Sequence, residues 1–442
     1  MNQPLKVIVV GAGNRAMIYA GYAKLHPEEM QIVGVAELSP VRRKKAQEIY
    51  NIPDDMCFES AEELCQKGKL ADAVINGTMD ADHVPTTKLL LRAGYDVLLE
   101  KPFCINEEEM FDLADVAKQT GRKVMICHVL RYAPFYRTIK DTILSGELGD
   151  VYNIQLTEHV SYHHTVAAYV RGKWASPIEC LAPMLLAKSC HDLDLLMWLM
   201  GDAKPVAISS FGSDFTFTAD KKPKEAGTKC LLDCPLDKEC IHSARRNYMV
   251  ENDRWAAYVW ASLETEDADV VNGLNPDMET RVASLTGDNP FGKCVWECKR
   301  DGNVDHQSVL VNFENGQTAT FNMIGGTARG ERGVHIIGTK GELVGVFNDS
   351  KFTIRKPMPE TEEGFTEQVI DLEITGDMTG EHGGHGGGDL RVPEDFVKYV
   401  RGEEPSVSCT ALDQSVLGHL AVFRAEKARK ENRVVSMERD DK

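Results

Sequence analysis

Residues 97–104 read VLLEKPFC, an apolar run that ends in an acid, a base and a proline: Glu100, Lys101 and Pro102. A lysine on the tip of a buried strand is a rigidly mounted ammonium, and the following proline restricts Lys101 to extended backbone. Such a group can lower the pKa of a reacting hydroxyl and hold it in place. The alternative is a lysine that snorkels to solvent. Further along, KSCHDLD supplies Lys188, His191 and Asp194 three residues apart, a spacing that shares one helix face. Imidazole is readily tuned to take an alcohol proton near neutral pH. His191 is therefore a candidate base, against a satisfied core histidine. Lys188 is a substrate ligand or second base, against a helix-surface lysine. Asp194 orients a neighbour or a substrate.

Residues 162–174, YHHTVAAYVRGKW, hold His163, His164, Arg171 and Trp174. Flat apolar rings beside forked donors suit a polyhydroxylated ring, so the stretch is a candidate substrate loop; an interface or lid is the alternative. The glycine-rich stretch 380–389, GEHGGHGGGD, must be a loop. It carries His382, His385 and Asp389 toward the site, or it is a flexible connector. The stretch KCLLDCPLDKECIHSARR holds Cys230, Cys234, Cys240 and His242. Three thiols and an imidazole can bind zinc, but this spacing lacks the usual C-x2-C knuckle. Reduced thiols without a metal are expected. Cys294 and Cys298 read as neighbours on a strand face or turn, with no assigned role.

At the N-terminus, LKVIVV precedes Gly11-Ala12-Gly13-Asn14-Arg15-Ala16, and Glu37 ends the next apolar run, QIVGVA. This is the dinucleotide fingerprint in its Ala-ended form. Gly11 permits the tight turn, Gly13 lets backbone approach a pyrophosphate, and Ala16 lets helix and strand pack closely. Glu37 would accept hydrogen bonds from ribose hydroxyls and repel a 2′-phosphate, which favours NAD. Arg42 and Arg43, a helical turn away, leave NADP open.

The elements that must position these groups alternate. Strands are expected at 5–10, 31–36, 71–76, 96–101 and 123–128, with helices between them. That order implies a parallel sheet covered on both faces. From Val151 the pattern changes to long strands at 151–160, 307–313, 317–324, 334–338 and 342–347. Hairpin turns are expected at Glu314-Asn315-Gly316 and Thr339-Lys340-Gly341. Helical patterns fall at 181–200, 391–401 and 410–431. The fold class is an α/β Rossmann domain, 1–128, followed by an α+β domain, 129–442, with a large, mostly antiparallel open sheet. The chain has 442 residues and a net charge of −18, which disfavours nucleic acid and anionic membrane as partners. No run reaches the apolar length of a membrane span. The N-terminus reads as a strand and not a signal peptide. Twelve cysteines without a secretion signal point to reduced thiols in a cytoplasmic protein.

GAGNRA, Glu37, TMDADHVPTTKLLLRAGYDVLLEKP, HVLRYAP and the distant HDLD together resemble the Gfo/Idh/MocA family, the glucose–fructose oxidoreductase and inositol dehydrogenase group. The resemblance spans almost the whole chain, and Glu100-Lys101-Pro102 is its most specific part. It implies a site between the two domains and nicotinamide-linked oxidation of a secondary alcohol on a sugar or cyclitol. It also implies a homodimer or homotetramer joined through the open sheet. For NAD it implies contacts from Ala12, Asn14, Arg15, Thr78, His83, Glu100, Lys101, His128 and Arg131. Tyr132 and Asp194 fall on the substrate side. Ala187 stands where the family has its first Asp and Ser189 replaces its Gly, so KSCHDLD marks a divergent branch.

Three functions remain open on the sequence. The leading one is an NAD-dependent dehydrogenase acting on a ring hydroxyl. The second is an NAD-dependent glycosidase that oxidises transiently, eliminates, hydrates and reduces again. The third is a non-enzymatic NAD sensor, which the retained lysine and histidine disfavour.

Overall fold

The computed structural model describes residues 3–250, 255–263, 274–374 and 385–439. The first sheet contains β1 (Leu5–Val10), β2 (Met30–Ala36), β3 (Cys57–Phe58), β4 (Ala73–Asn76), β5 (Asp96–Leu99) and β6 (Val124–Ile126). All pairs are parallel, in the order β3-β2-β1-β4-β5-β6. The reversal between β1 and β4 is the topological switch point of a doubly wound sheet, and ligands bind there outside the carboxyl ends of the strands. The two-residue β3 is absent from the sequence reading, because a strand that short has no periodicity to detect. β1, β4 and β5 are almost wholly buried, as a sheet covered on both faces requires.

Local signals explain the helix ends. The Asn106 side chain accepts a hydrogen bond from the Glu109 N–H at 2.8 Å, three acids occupy the first turn, and Gly121 closes the helix in a left-handed conformation. These are the N-cap, dipole and C-cap rules acting together.

The second sheet has nine strands in the order β14-β13-β12-β11-β7-β10-β9-β8-β15. They are β7 (Val151–Ser161), β8 (Pro205–Ser213), β9 (His306–Phe313), β10 (Thr318–Thr327), β11 (Glu331–Gly338), β12 (Glu342–Val346), β13 (Lys351–Pro357), β14 (Phe365–Asp371) and β15 (Val435–Ser436). Every pairing is antiparallel except β7 with β10. β9 alternates buried and exposed along its whole length, the mark of a sheet with one solvated face. The other face is covered by helices Cys190–Met200 and Leu412–Glu431.

Helix Arg391–Arg401 comes late in the chain but packs on the first sheet, with Val392, Phe396 and Val397 in one apolar cluster with Val7, Val9 and Met125. Ile126 donates its N–H to the Thr410 carbonyl at 2.9 Å. The two halves are therefore sewn together at the sheet edge nearest the cleft. Among the described residues no helix is long and apolar enough to cross a membrane.

Candidate functional site

One cleft of about 670 Å³ runs from the β1 turn to the inner edge of the second sheet. Its first end is made largely of backbone. Gly11 turns with φ +76°, and a Cβ there would stand 2.8 Å from the backbone of Gly77 and Thr78. A Cβ on Gly13 would meet nothing within 4 Å, so this peptide faces open cleft beside the start of helix Asn14–Ala20. Asn14 Oδ1 is buried there without a hydrogen-bond partner among the described residues. A dinucleotide pyrophosphate fits this arrangement. Glu37 accepts hydrogen bonds from the N–H groups of Ala12 at 2.6 Å and Ser39 at 2.8 Å. Each carboxylate oxygen keeps acceptor capacity for a ribose hydroxyl. Arg43 donates to the Glu37 carbonyl and pairs with Glu59 at 3.5 Å, so it is partly engaged in holding this corner. Thr78 turns its hydroxyl onto the Asn76 side chain at 2.9 Å. His83 reaches the carbonyl oxygens of Pro102 at 2.7 Å and Thr78 at 3.0 Å.

The other end is made of side chains from distant segments. Lys101 Nζ donates to the Ala187 carbonyl at 3.0 Å, and the Lys101–Pro102 bond is cis. Glu100 accepts from the Lys101 N–H at 2.7 Å and from Arg15 Nε at 3.2 Å. Arg15 also donates to Asp389 at 2.7 Å, and His385 Nδ1 lies 3.0 Å from the same oxygen. Burial alone would raise the Asp389 carboxyl, but Arg15 and His385 outweigh it and hold the group well below the usual range. Arg15 thus ties the glycine turn, the Lys101 strand end and the late loop into one network. His191 is 5% exposed, and its Nδ1 has no partner among the described residues. Burial, and then the nearby Lys101 ammonium, push its pKa far below the ordinary value. It is held neutral, the form that accepts a proton.

The helical stretch expected at 181–200 breaks after Ala187, and a new helix starts at Cys190. Lys188 is therefore set apart, while His191 and Asp194, i and i+3 in the second helix, still share one face. Lys188 turns to Glu158 at 3.2 Å, and Arg332 joins Glu158 at 2.6 Å and Asp192 at 2.9 Å. Burial, then Arg332 among the cations, lowers the Lys188 pKa against the pull of Glu158. The far wall is aromatic. Tyr169 stacks on Trp174 at 5.9 Å, and His164 and Tyr258 lie 4.8 Å and 5.7 Å from Trp255. Thr165–Val170 is a π-helix, a distortion that recurs at functional sites, and it swings Tyr169 into the cleft. Trp174 Nε1 donates to Asp80 at 2.7 Å.

The cleft brings together Gly11, Gly13, Asn14, Arg15, Glu37, Thr78, His83, Glu100, Lys101, Lys188, His191, His164, Trp174 and His385. Its lining leaves out Ala12, His128, Arg131, Tyr132, His163, Arg171 and Asp194. Arg131 grips Asp194 with two hydrogen bonds, at 2.7 Å and 2.6 Å, in the core. Tyr132 donates to Asp395 at 3.1 Å. His128 is buried behind His191, with ring centres 5.6 Å apart. Arg171 points away toward Cys230. His163 lies beside the cleft, 3.3 Å from the Ser161 hydroxyl, and His382 falls outside the described residues. The sequence reading missed Trp255, Tyr258, Glu158 and Arg332. The aromatic density of WAAYVW, 255–260, was the one available signal; the other two sit on ordinary strands.

Residues 5–128 match the NAD-binding Rossmann fold of the GFO_IDH_MocA oxidoreductase family, and residues 140–230 match its C-terminal alpha/beta domain. The chain belongs to the Gfo/Idh/MocA family. It is similar to the oxidoreductase YteT of Bacillus subtilis, 24% identical over 83% of this chain and 82% of that protein. It is also similar to the trans-1,2-dihydrobenzene-1,2-diol dehydrogenase of Sus scrofa, 27% identical over 48% of this chain and 61% of that one. Among solved structures, the WlbA dehydrogenase of Chromobacterium violaceum, in complex with NADH and UDP-GlcNAcA, superposes with a TM-score of 0.64 at 16% identity. The two cover 100% and 98% of each other's chains. An oxidoreductase of Agrobacterium radiobacter in complex with NAD+, L-tartaric acid and magnesium gives 0.66 at 13% identity, covering 98% of this chain and 99% of that one. As a member of the Gfo/Idh/MocA family the chain is an NAD-binding oxidoreductase.

Proposed function

We propose that the protein oxidises a ring secondary alcohol of a sugar, glycoside or cyclitol. The observation that carries this reading is the seam of the cleft. There the Lys101 ammonium and the neutral His191 sit between a nucleotide turn and a wall of Tyr169, Trp174, Trp255 and Tyr258. Bound NAD supplies the hydride acceptor. Lys101 lowers the pKa of the reacting hydroxyl, an effect enlarged by the low dielectric. His191 takes the hydroxyl proton. The aromatic wall covers ring C–H faces, and Lys188 offers donors to a second hydroxyl. The names of relatives fit this chemistry: one is a 1,5-anhydro-D-fructose reductase, and a structural neighbour binds UDP-GlcNAcA.

A second reading, the NAD-dependent glycosidase, is favoured by one feature. Four imidazoles, His83, His164, His191 and His385, and three lysines, Lys101, Lys173 and Lys188, line the same cleft, more proton-handling groups than one alcohol oxidation uses. A panel of sugars, inositols and aryl glycosides separates the readings. NADH that accumulates stoichiometrically supports the dehydrogenase. Phenol release with catalytic NAD supports the glycosidase. Neither product, with NAD bound, would defeat both. We further propose a homo-oligomer paired through the outer face of the second sheet, where Tyr152 and Leu310 are 49% and 47% exposed. A monomer by light scattering would refute it.

A further inference from the structure

A second cavity, of about 410 Å³, opens away from the cleft and is ringed by Cys230, Cys234, Cys240, Cys294 and His242. Two segments far apart in sequence meet there. Cys230 donates its N–H to the Gly292 carbonyl and Cys294 donates to Thr228, both at 2.9 Å, around a bridge between Lys229 and Lys293. This pairing places the fourth thiol beside the first three. All four are free cysteines.

A buried cation faces these thiols. Arg171 is 4% exposed. It donates to the Lys293 carbonyl at 2.7 Å, the Tyr248 hydroxyl at 3.4 Å and Cys230 Sγ at 3.3 Å. No carboxylate of the described residues pairs with it, and Asp237 at the cavity rim is held by Arg245. A buried guanidinium without an anion is costly, so the site is built for negative charge. His242 is 6% exposed, lines the same cavity, and its Nδ1 has no partner among the described residues.

We propose that Cys230, Cys234, Cys240 and Cys294 ligate an iron–sulfur cluster of the [4Fe–4S] class, with Arg171 offsetting part of its negative charge. The four thiols release their protons to solvent as they bind iron of a preassembled cluster, and no net oxidation occurs. Among the described residues these thiols are not gathered as tightly as one zinc ion requires. Sulfurs on one zinc at about 2.3 Å lie within about 4.6 Å of one another. Among the described residues the only ligand group that compact is His26, Glu28 and Glu29, elsewhere on the molecule. A polynuclear cluster spreads its thiolates more widely, and soft thiolate ligands select it. Its role would be structural. Cys230 packs in one apolar cluster with Trp255, Trp260 and Phe291, which line the substrate end of the cleft, and Arg171 directly follows the π-helix that carries Tyr169.

The test is metal and sulfide analysis of the full chain purified without oxygen and again after reconstitution with iron and sulfide, alongside a melting curve. Wild type should hold about four iron and four sulfide per chain, with a visible chromophore bleached by dithionite. Cys294→Ser should lose most of both, and Cys65→Ser, remote from the cavity, should lose neither. Reconstituted wild type with less than one iron per chain, or with zinc and no sulfide, overturns the proposal. So does a Cys294→Ser protein that keeps its full cluster. None of these readouts depends on activity, so failure here leaves the reading of the cleft intact.

Discussion

The two ends of the cleft are built differently. At the nucleotide end, most contacts come from residues 11–39 and from main chain, Gly11, Gly13 and the Ala12 N–H set against Glu37, with Thr78 and His83 added from a later strand end. At the substrate end, Lys101, Tyr169, Lys188 with His191, and Trp255 arrive from four separate segments and act through side chains. Backbone geometry tolerates drift in the surrounding sequence, whereas a constellation of side chains changes with each substitution. The first end therefore tolerates substitution better than the second.

The contrast breaks hardest at Lys101. Lys101→Met keeps the stem and removes the ammonium, and should leave a folded protein that binds NAD but has lost turnover by roughly 10³-fold. Arginine should not rescue it, because a planar fork is a different group in a fitted site. Single-turnover NADH formation at saturating cofactor checks this; near-normal turnover would reduce Lys101 to a solvated strand end.

His191→Ala should cost roughly 10²-fold in turnover with NAD affinity unchanged, as measured by titration of the apoprotein. Unchanged turnover would return His191 to the core and leave Lys188 as the candidate.

A smaller effect is expected at the other end. Glu37→Ser removes the carboxylate that faces the ribose and should relax the NAD over NADP preference about tenfold, or about 1.4 kcal/mol. Equal affinity of wild type for both cofactors would defeat the argument.

The smallest effect is on stability. His128, His164, His191 and His419, all at or behind the substrate end, are pushed well below their ordinary pKa, by burial first and by neighbouring charges second. The unfolded chain takes up a proton at each near pH 6.5, while the folded chain does not. Unfolding therefore binds protons, and the stability present above about pH 6.5 is lost as pH falls below it. Asp192, pushed up to about 6 chiefly by burial, and Asp194, also raised by burial, act in the opposite sense, two groups against these four. The melting temperature should be flat from pH 8 to 7 and fall steadily toward pH 5. A flat profile down to pH 5 would mean that these imidazoles reach solvent in the native state.

Much of the architecture was legible because its signals are local. The alternating strands and helices, the Asn106 cap, the hairpin glycine Gly316 with φ +82° and the dinucleotide turn each depend on a few adjacent residues. β8, β13 and β14 escaped, since their pairing is set by neighbours in the sheet and not by their own pattern. The helix around Lys188 was misjudged for a related reason. Apolar residues 184–187 and 190–200 read as one helix, and only packing shows the break that sends Lys188 to Glu158.

The sequence by itself determined the nucleotide-binding half, the alternation of its parallel strands with helices, and the lysine at the tip of β5, because hydrophobic period, glycine and proline act within a few residues. Tertiary structure alone decided which charged side chains are spent on one another. Arg131 grips Asp194 across 63 positions, and Arg15 reaches Asp389 across 374. Only the folded chain sets Cys294 beside Cys230. A side chain's partner is the nearest group in space, and nothing in its spacing along the chain records which group that will be.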